Sequence, residues 1–404
     1  MRLSLLAIFT ALAMTGSVVA WLAAPAKFTV DLCSGEPTHG ELVRLADDWR
    51  VVLATPAPVE LTPTKFFRLR QAKVTAPVPT GPQVILANGD RIRGTVLHLD
   101  EEAAVVASEL LGRVRIPLDV IAAILLEPLR DEMTAFRMAR RLLEHKPSTD
   151  ELWFRNGDRL RGTLLAMDDR SVHVQVGDDE VAVPQRRVAA IVVNRELVVV
   201  PELEGVHGVV VLTDGTEVHV RSLRMEGAVV RAQAAFDAEL AFAVDRIAVC
   251  EILGGCATFL SELEPRRYEH VPYLGATRYE LTRDRSIWNR RLSLRGQVFR
   301  RGVAMHSRSE ATYALDGGFE RFRSWVGIDD ETNGGGSAIA YVRVDGEERF
   351  RSPMLTGTSP PVLVEVDLRG AAELTLGVDY GERGDVLDHV DWADAVLIRK
   401  PAEE

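Results

Sequence analysis

Imidazole and aromatic side chains that could bind a ligand are concentrated in the last third of the sequence. A sugar-binding site combines an aromatic platform with a few fixed polar groups in a concave patch. Five residues of these types are the candidates: His306, Trp325, Tyr380, His389 and Trp392. Trp392 lies in a regular strand-like run, so packing in a core is the favoured alternative for it. His306 could also be packed and hydrogen-bonded inside the fold.

Carboxylates accompany these candidates. Asp329 and Asp330 end a predicted strand, and Asp388 and Asp391 lie close together near the C-terminus. Ca²⁺ takes about six to eight oxygen ligands, so two acidic loops at one end of a domain could form a calcium site. Solvated turns are the alternative. The stretch from Asp329 is not an EF-hand loop, because its twelfth position is Ala340 and not Glu.

The composition excludes several classes of function. The 404 residues are 47% hydrophobic, so the chain can bury a core, and the formal net charge of −11 disfavours a nucleic-acid binder. The sequence contains no nucleophile elbow, phosphate-binding loop or dinucleotide fingerprint. With three cysteines and no Cys/His cluster, it also lacks the pattern of a zinc module.

The cysteines leave two possibilities open. Cys250 and Cys256 are six residues apart with two glycines between them, so a small-loop disulfide could form in an oxidising compartment. Free, buried thiols are the alternative, because Cys250 occupies a position that the repeat pattern described below places in a core.

The N-terminus predicts export. Residues 1–26 form a signal peptide or a membrane anchor: Arg2 is followed by an uncharged, mostly apolar run that ends at Lys27. The protein is therefore expected to be secreted, periplasmic or at the cell surface. Contact with a membrane is expected only through this segment.

A repeated motif organises the next two-thirds. The sequence of residues 88–94, NGDRIRG, recurs as NGDRLRG at 156–162, and both copies lead to similar apolar blocks 21 to 22 residues later. Asn-Gly supplies the positive φ of a hairpin turn, and the flanking residues alternate as half-buried strands do. Two weaker copies flank this pair. The predicted β repeats cover residues 28–72, 82–127, 150–195 and 207–253, and neighbouring copies are expected to pack together.

The stretch Leu86–Asp100 resembles the opening of Sm-like small β-barrels. It has an apolar strand, Asn-Gly-Asp and a following Gly-x-Val. The resemblance implies barrel geometry alone, because Glu101 stands where that family has an RNA-contacting Asn. Between the second and third repeats, residues 128–147 predict a linker helix that begins near Pro128 and packs between β units.

Residues 265–400 predict an all-β sandwich. Apolar residues alternate at period two, and turn residues separate the runs. Five ordered blocks stand out in this region, at residues 302–307, 319–330, 342–347, 374–379 and 388–395. In this order and spacing they resemble the NPCBM family of carbohydrate-binding modules. The resemblance implies an antiparallel jelly-roll β-sandwich, often with a structural calcium, and glycan as the binding partner.

The combined prediction is an exported, non-catalytic protein whose repeats carry a C-terminal carbohydrate-binding module. A structural or protein-interaction protein without sugar binding is the main alternative. A glycoside hydrolase is a third reading, since such modules occur beside these enzymes. It is disfavoured, because the repeats and the helix leave no segment for a separate catalytic barrel of about 250 residues.

Overall fold

The computed structural model describes residues 26–275 and 277–399. Within these ranges the chain forms 35 β-strands, five short 3-10 turns and one α-helix, so the predicted all-β class is confirmed. Of the predicted export segment 1–26, only Ala26 is described. Among the described residues, no helix is both long and apolar enough to cross a bilayer.

Four groups of strands follow the four predicted repeats. The first contains β1 (Lys27–Leu32), β2 (Thr38–Leu45), β3 (Val51–Ala54), β4 (Val59–Leu61) and β5 (Phe66–Gln71). The second contains β6 (Gln83–Leu86), β7 (Arg91–Arg93), β8 (Thr95–Leu99), β9 (Ala103–Ser108), β10 (Gly112–Pro117) and β11 (Ile121–Leu125). The third contains β12 (Asp150–Phe154), β13 (Arg159–Met167), β14 (Ser171–Val176), β15 (Asp179–Pro184) and β16 (Val188–Val192). The fourth contains β17 (His207–Leu212), β18 (Glu217–Glu226), β19 (Val229–Ala234), β20 (Glu239–Ala243) and β21 (Ile247–Leu253).

All four groups share one pairing scheme. The first strand pairs with both the second and the last, as β12 does with β13 and β16, and the middle strands continue as a meander. In the last three groups a 3-10 turn precedes the final strand: Leu118–Val120, Gln185–Arg187 and Val244–Arg246. The hairpin turn also recurs, with φ of +94° at Gly89 and +92° at Gly157. The Asn-Gly-Asp motif therefore marks the same turn in each copy.

A second glycine has a steric role on the second strand. A Cβ on Gly94 would lie 2.6 Å from the Ala107 carbonyl oxygen, and one on Gly162 would lie 2.3 Å from that of Gln175. The strand bulges just beyond each glycine, between Val96 and His98 in the second group. Gly40 of the first group meets a carbonyl in the same way, at 2.8 Å. The close approach explains why glycine recurs at this position.

The groups are not joined in chain order. β5 pairs with β21 and β11 pairs with β16, so the first group joins the fourth and the second joins the third. Among the described strands, the first and second groups are thus not joined by strand pairing, although all four groups contribute residues to one apolar core. The final strands of the last three groups, β11, β16 and β21, are almost wholly apolar and buried. Each of them could therefore pair with the final strand of any other group.

The helix α1 (Glu132–Glu144) begins four residues after Pro128, where the sequence predicted its start. Asp131 caps it, because its carboxylate accepts a hydrogen bond from the Thr134 amide at 2.7 Å. Its buried residues are Ala135, Ala139 and Leu142, and the last two pack on strands of the second and third groups.

Two six-stranded sheets form the predicted C-terminal β-sandwich, which is confirmed. One contains β22 (Ala257–Phe259), β24 (Thr282–Arg283), β27 (Gly302–His306), β29 (Phe319–Ile328), β33 (Val362–Asp367) and β35 (His389–Arg399). The other contains β23 (Arg267–His270), β28 (Ser309–Ala314), β30 (Ser337–Val344), β31 (Glu347–Arg351), β32 (Leu355–Thr356) and β34 (Glu373–Tyr380). β25 (Leu292–Leu294) and β26 (Gln297–Phe299) form a separate hairpin, and Leu260–Glu262 and Asp330–Thr332 are 3-10 turns. Because β22 pairs with β35, this sheet includes residues before position 265.

A disulfide joins the first repeat to the sandwich. It links Cys33 to Cys256, so of the two possibilities left open, a Cys250–Cys256 disulfide is not formed, and free buried thiols hold for Cys250 but not for Cys256. Cys250 is a free, buried thiol inside the repeat core. Cys33 and Cys256 instead belong to a separate apolar cluster that also contains Phe259. Burial raises the pKa of Cys250 to about 12, which keeps this thiol protonated and unreactive.

A buried arginine crosses the same junction. The Arg68 guanidinium donates to Asp31 at 2.6 Å and makes a bidentate contact with Asp394 of the sandwich at 2.7 and 2.8 Å. Paired, forked contacts of this kind compensate the cost of burying the charges. The repeats and the sandwich are therefore connected by packing, a covalent bond and ion pairs.

Candidate functional site

Three histidines meet at one end of the sandwich. His306 ends β27 and His389 begins β35, and these two residues face each other directly across the strand pair. His270 ends β23 in the other sheet. The ring centroids of His306 and His389 are 5.4 Å apart, and those of His270 and His306 are 5.7 Å apart. The ends of three strands thus bring together residues that are far apart in sequence.

Two aromatic rings complete the cluster. Tyr279 stacks on His306 with a centroid distance of 3.9 Å and an interplanar angle of 10°. Trp288 stands perpendicular to His389 at 4.7 Å. Trp288 is 41% exposed, whereas His306 and His389 are each 2% exposed. The indole is therefore the solvent-facing rim of a cluster whose floor is imidazole.

Hydrogen bonds define the proton positions on both central rings. Nδ1 of His306 lies 2.8 Å from the Ser307 carbonyl oxygen, and Nδ1 of His389 lies 2.7 Å from Oε1 of Glu331. Each Nδ1 must carry a proton to donate to these acceptors. Within residues 26–275 and 277–399, neither Nε2 has a hydrogen-bond partner. Both Nε2 atoms can therefore bond a ligand hydroxyl.

Burial favours the uncharged form of His306 and of His270. Burial is the largest cause of the lowered pKa of His306, and together with smaller contributions from the neighbouring His389 and His270 it brings that pKa to about 4. Burial also lowers the pKa of His270. A neutral imidazole whose Nδ1 donates presents Nε2 as an acceptor, so the Nε2 atom of His306 is a hydrogen-bond acceptor near neutral pH.

Glu331 positions both the platform and the floor. Its carboxylate accepts from the Trp288 amide at 3.1 Å, from the Ser286 hydroxyl at 2.5 Å and from His389 at 2.7 Å. Glu331 is 3% exposed, and these three donors satisfy a charge that would otherwise be costly to bury. The loop that carries Trp288 is therefore fixed to the sandwich through one side chain.

The neighbouring acids hold the same loop. Asp330 accepts from the Ser293 hydroxyl at 2.6 Å and from the amides of Arg295 and Gly296 at 2.9 and 2.7 Å. Asp329 accepts from the Ser293 amide at 3.1 Å. The acidic stretch that the sequence analysis considered for calcium thus bonds backbone and hydroxyl donors of residues 286–296.

Asp391 and Asp388 lie in two different environments. Burial and the adjacent Asp329 raise the pKa of Asp391 well above its ordinary value, because burial and a neighbouring carboxylate both disfavour ionisation. Asp388 accepts from the Ser307 hydroxyl at 2.6 Å and from the Ser337 amide at 2.8 Å, and burial raises its pKa to about 6.

The hydrogen-bond partners of Asp329, Asp330, Asp388 and Asp391 indicate whether these four carboxylates could bind one calcium ion together. Asp388 bonds Ser307 and Ser337, whereas Asp329, Asp330 and Asp391 surround Ser293. In the described part of the chain, no group of three or more His, Cys, Asp or Glu side chains could hold a metal ion. The arrangement does not favour one shared calcium site, and calcium remains a prediction to be tested.

The other predicted ligand residues lie apart from His306 and His389. Trp392 is fully buried at 0% exposure in the sandwich core, so its predicted role as a ligand contact does not fit this structure. Trp325 points to the other face of its sheet and packs with the hairpin residues Leu292 and Leu294. Tyr380 contacts the ring of Tyr273 at 5.1 Å and donates to the Val271 carbonyl oxygen at 2.6 Å. It borders the cluster on the side of His270.

The sequence analysis missed His270, Tyr279 and the positioning role of Glu331. His270 ends a short strand and Tyr279 lies in an irregular segment, so no periodicity indicated that they face His306. The acidic run Asp329, Asp330 and Glu331 after β29 was the one available signal for Glu331, and it was interpreted as calcium chemistry.

Comparison with known proteins assigns the class of this C-terminal domain. The NPCBM/NEW2 domain model matches residues 257–398, which confirms the resemblance predicted from the sequence blocks. Residues 257–398 are thus similar to the NPCBM/NEW2 domain. The match begins at β22, the strand that the predicted boundary of 265 left out.

Individual relatives carry similar modules. A curated protein of Renibacterium salmoninarum named "Putative endo-alpha-N-acetylgalactosaminidase" is 29% identical over 107 residues, which are 26% of this chain and 7% of that protein. The chain thus spans a small part of this relative's length. A CBM51 module from Clostridium perfringens GH95, solved with methyl-galactose, is 28% identical over 35% of this chain and 99% of its own, with a TM-score of 0.32. CBM51-2 with INT domains from Clostridium perfringens ZmpB, solved with GlcNAc, is 23% identical over 45% and 40%, with a TM-score of 0.33.

Proposed function

We propose that the cluster of Trp288, His306 and His389 binds a sugar residue of a glycan. The observation that supports this most directly is the exposed Trp288 ring beside two histidines whose Nε2 atoms are unbonded within the described residues. An aromatic face can pack on the apolar face of a pyranose, while imidazole nitrogens accept from or donate to its hydroxyls. The match to the NPCBM/NEW2 domain supports the same function.

The pre-formed geometry favours binding. His389 and the Trp288 loop are held by Glu331, and His306 is held by a main-chain carbonyl, so little side-chain freedom remains to be lost when a ligand binds. The neutral state of His306 suits recognition of uncharged hydroxyl groups. We assign no catalytic role to the module.

We further propose that the protein works outside the cytoplasm and that its repeats serve as a scaffold for the module. The disulfide between Cys33 and Cys256 supports export, because disulfides persist in oxidising compartments. The repeats support a scaffold role because they contact the module through an apolar cluster and the Arg68–Asp394 ion pair.

The test is a glycan array with the purified chain, followed by calorimetry with the best ligand. We expect Trp288→Ala to weaken binding at least tenfold while the unfolding midpoint changes little, because Trp288 is a rim residue. Trp325→Ala is the matched control, since this half-buried indole packs against the cluster of Leu292 and Leu294 and not against the rings of His306 and His389; it should retain binding. No glycan binding by the wild type would contradict the proposal and favour a protein-interaction role. Equal binding by Trp288→Ala would show that the site is elsewhere.

A further inference from the structure

A polar cavity lies between the repeats and the sandwich, away from the histidine cluster. Its volume is about 210 Å³. Its walls come from the Asn88–Gly89 turn of the second repeat, the fourth repeat at Gly215, the helix α1 and the segment 299–301 of the sandwich. Interfaces between domains are a common location for ligand sites.

Positive charge dominates the walls. Five arginines line the cavity: Arg91, Arg140, Arg291, Arg300 and Arg301. The carboxylates that line it are Glu217 and Asp284. The remaining titratable wall residue, His219, is bonded through Nδ1 to Asp90 at 2.5 Å. The guanidinium groups that line this space therefore outnumber the carboxylates.

Three of the arginines have carboxylate partners. Glu217 lies 2.6 Å from Arg91 and 2.7 Å from Arg300, so one carboxylate serves two guanidinium groups. Arg301 contacts Glu251 at 2.8 Å and Asp284 at 3.2 Å. The carboxylates at the junction are thus already engaged by these three cations.

The other two arginines bond main-chain oxygens only. Arg140 donates to the Arg283 carbonyl at 2.9 Å, and Arg291 donates to the Ala76 carbonyl at 3.1 Å. Among the described residues, neither has a carboxylate oxygen within salt-bridge distance. Burial lowers the pKa of both groups, and the neighbouring guanidinium groups of Arg285 and Arg300 lower it further. Nearby carboxylates, Glu144 and Asp284 for Arg140 and Glu132 and Glu217 for Arg291, offset this burial cost only in part.

Unused donors lie in the same walls. Nε of Arg140, Nε of Arg300 and Nδ2 of Asn88 are buried and have no hydrogen-bond partner. Three buried donors surround one cavity that also contains two arginines without a described carboxylate at salt-bridge distance. Together they form a site complementary to several acceptor oxygens of one anion. Guanidinium groups match phosphate and sulfate oxygens through their forked N–H geometry.

We propose that this junction cavity binds a tetrahedral oxyanion, a phosphate or a sulfate group, held by Arg140 and Arg291. The anion would bond α1 of the repeat region and the 284–301 segment of the sandwich at once. A ligand that binds only the assembled fold stabilises it by mass action. The site would therefore strengthen the connection between the scaffold and the module, and it is independent of the sugar site.

Thermal unfolding of the full chain in sodium phosphate or sodium sulfate, against sodium chloride at equal ionic strength, tests the proposal. We expect both oxyanions to raise the midpoint above its value in chloride. Arg140→Gln combined with Arg291→Gln should abolish this difference. Arg113→Gln, at an exposed arginine on β10, is the matched control and should keep it. An oxyanion effect that is absent from the wild type, or equal in the wild type and the double variant, would overturn the proposal.

Calorimetry distinguishes the sources of the anion. Inorganic sulfate is compared with galactose 6-sulfate and with unsulfated galactose, in the wild type and in Trp288→Ala. Binding of inorganic sulfate, lost in the arginine variant but retained in Trp288→Ala, would identify a free anion. Binding of the sulfated sugar alone, retained in Trp288→Ala, would identify a sulfated glycan. If the double variant does not fold, crystals of the wild type soaked in selenate provide the second readout, and no selenium signal in the cavity would reject the site.

Discussion

Glu331 and His389 form a buried contact in which Oε1 of the carboxylate lies 2.7 Å from Nδ1 of the ring. The same oxygen accepts the Trp288 amide at 3.1 Å. One atom therefore sets both the orientation of a candidate hydroxyl-binding imidazole and the position of the exposed indole. This arrangement makes Glu331 a positioning residue for the proposed sugar site.

Glu331→Gln tests that role. The amide keeps the volume but loses the charge. Because its NH₂ group cannot accept a hydrogen bond, either the Ser286 hydroxyl or the pair of His389 and the Trp288 amide loses its acceptor. We expect sugar affinity to fall about tenfold and stability to fall by about 1–3 kcal/mol, the cost of unsatisfied buried partners. Calorimetry and urea unfolding measure the two effects. Glu365→Gln, at a carboxylate on the edge strand β33, should change neither. Unchanged affinity in Glu331→Gln would remove the positioning role.

The calcium hypothesis is tested through Asp330. This carboxylate already accepts three hydrogen bonds from residues 293–296. We expect the unfolding midpoint of the wild type to be the same in millimolar calcium and in chelator. Asp330→Asn should lower the midpoint equally in both buffers, because it loses loop contacts and not a metal. A midpoint that rises with calcium only in the wild type would establish calcium binding at this loop.

Local sequence signals predicted the elements well. The Asn-Gly-Asp turn is determined by residues that are adjacent in the chain, and so is the period-two alternation of Phe322, Ser324 and Val326. The pairing of β5 with β21 was not predictable in this way. All final strands are apolar, so the choice of partner depends on the assembled structure and not on any one strand.

Only part of the candidate site was predicted from the sequence, because several of its contacts join residues that are far apart in the chain. His306 and His389 were found because they lie in strand blocks with a recognisable order. Tyr279 and Glu331 act through contacts that span 27 and 58 residues of sequence, to His306 and His389. Trp392 was named because of its residue type, but alternation along β35 directs it into the core.

The pH dependence of stability contains two opposing contributions. The pKa of His306 is lowered from 6.5 to about 4, so its contribution is present above pH 6.5 and is lost as the pH falls toward 4. The pKa of Asp388 is raised from 3.8 to about 6, so its contribution is present below pH 3.8 and is lost as the pH rises through 6.

Two variants separate these contributions. We expect the stability of the wild type minus that of His306→Asn to increase with pH between 4 and 6.5. We expect the stability of the wild type minus that of Asp388→Asn to decrease as the pH rises from 4 to 6. Each slope is at most about 1.4 kcal/mol per pH unit. Urea unfolding at several pH values measures them, and slopes of the same sign would contradict the assignment.

Gly162 tests the shared repeat geometry. A Cβ there would lie 2.3 Å from the Gln175 carbonyl oxygen of the adjacent strand. We expect Gly162→Ala, and likewise Gly94→Ala, to destabilise the protein by about 1–3 kcal/mol, the usual cost of overpacking. Gly81→Ala is the control, because the nearest atom to its added Cβ is 3.8 Å away, on an arginine side chain. Denaturant midpoints give the comparison, and equal midpoints for all three variants would refute the steric argument.

The Cys33–Cys256 bond is tested by mapping and by mutation. Peptide mapping without reduction should recover Cys33 linked to Cys256, with Cys250 free. Reduction, or Cys33→Ser, should cost about 2–5 kcal/mol of stability, because the bond closes a loop across 223 residues of sequence and restricts the unfolded chain. Cys250→Ala is the matched control: it leaves the crosslink intact, so reduction should still lower its midpoint.

Thiol labelling of Cys250 should require unfolding, because the residue is 1% exposed and burial raises its pKa to about 12. A peptide linking Cys250 to Cys256, or labelling of Cys250 in the native protein, would contradict this pairing.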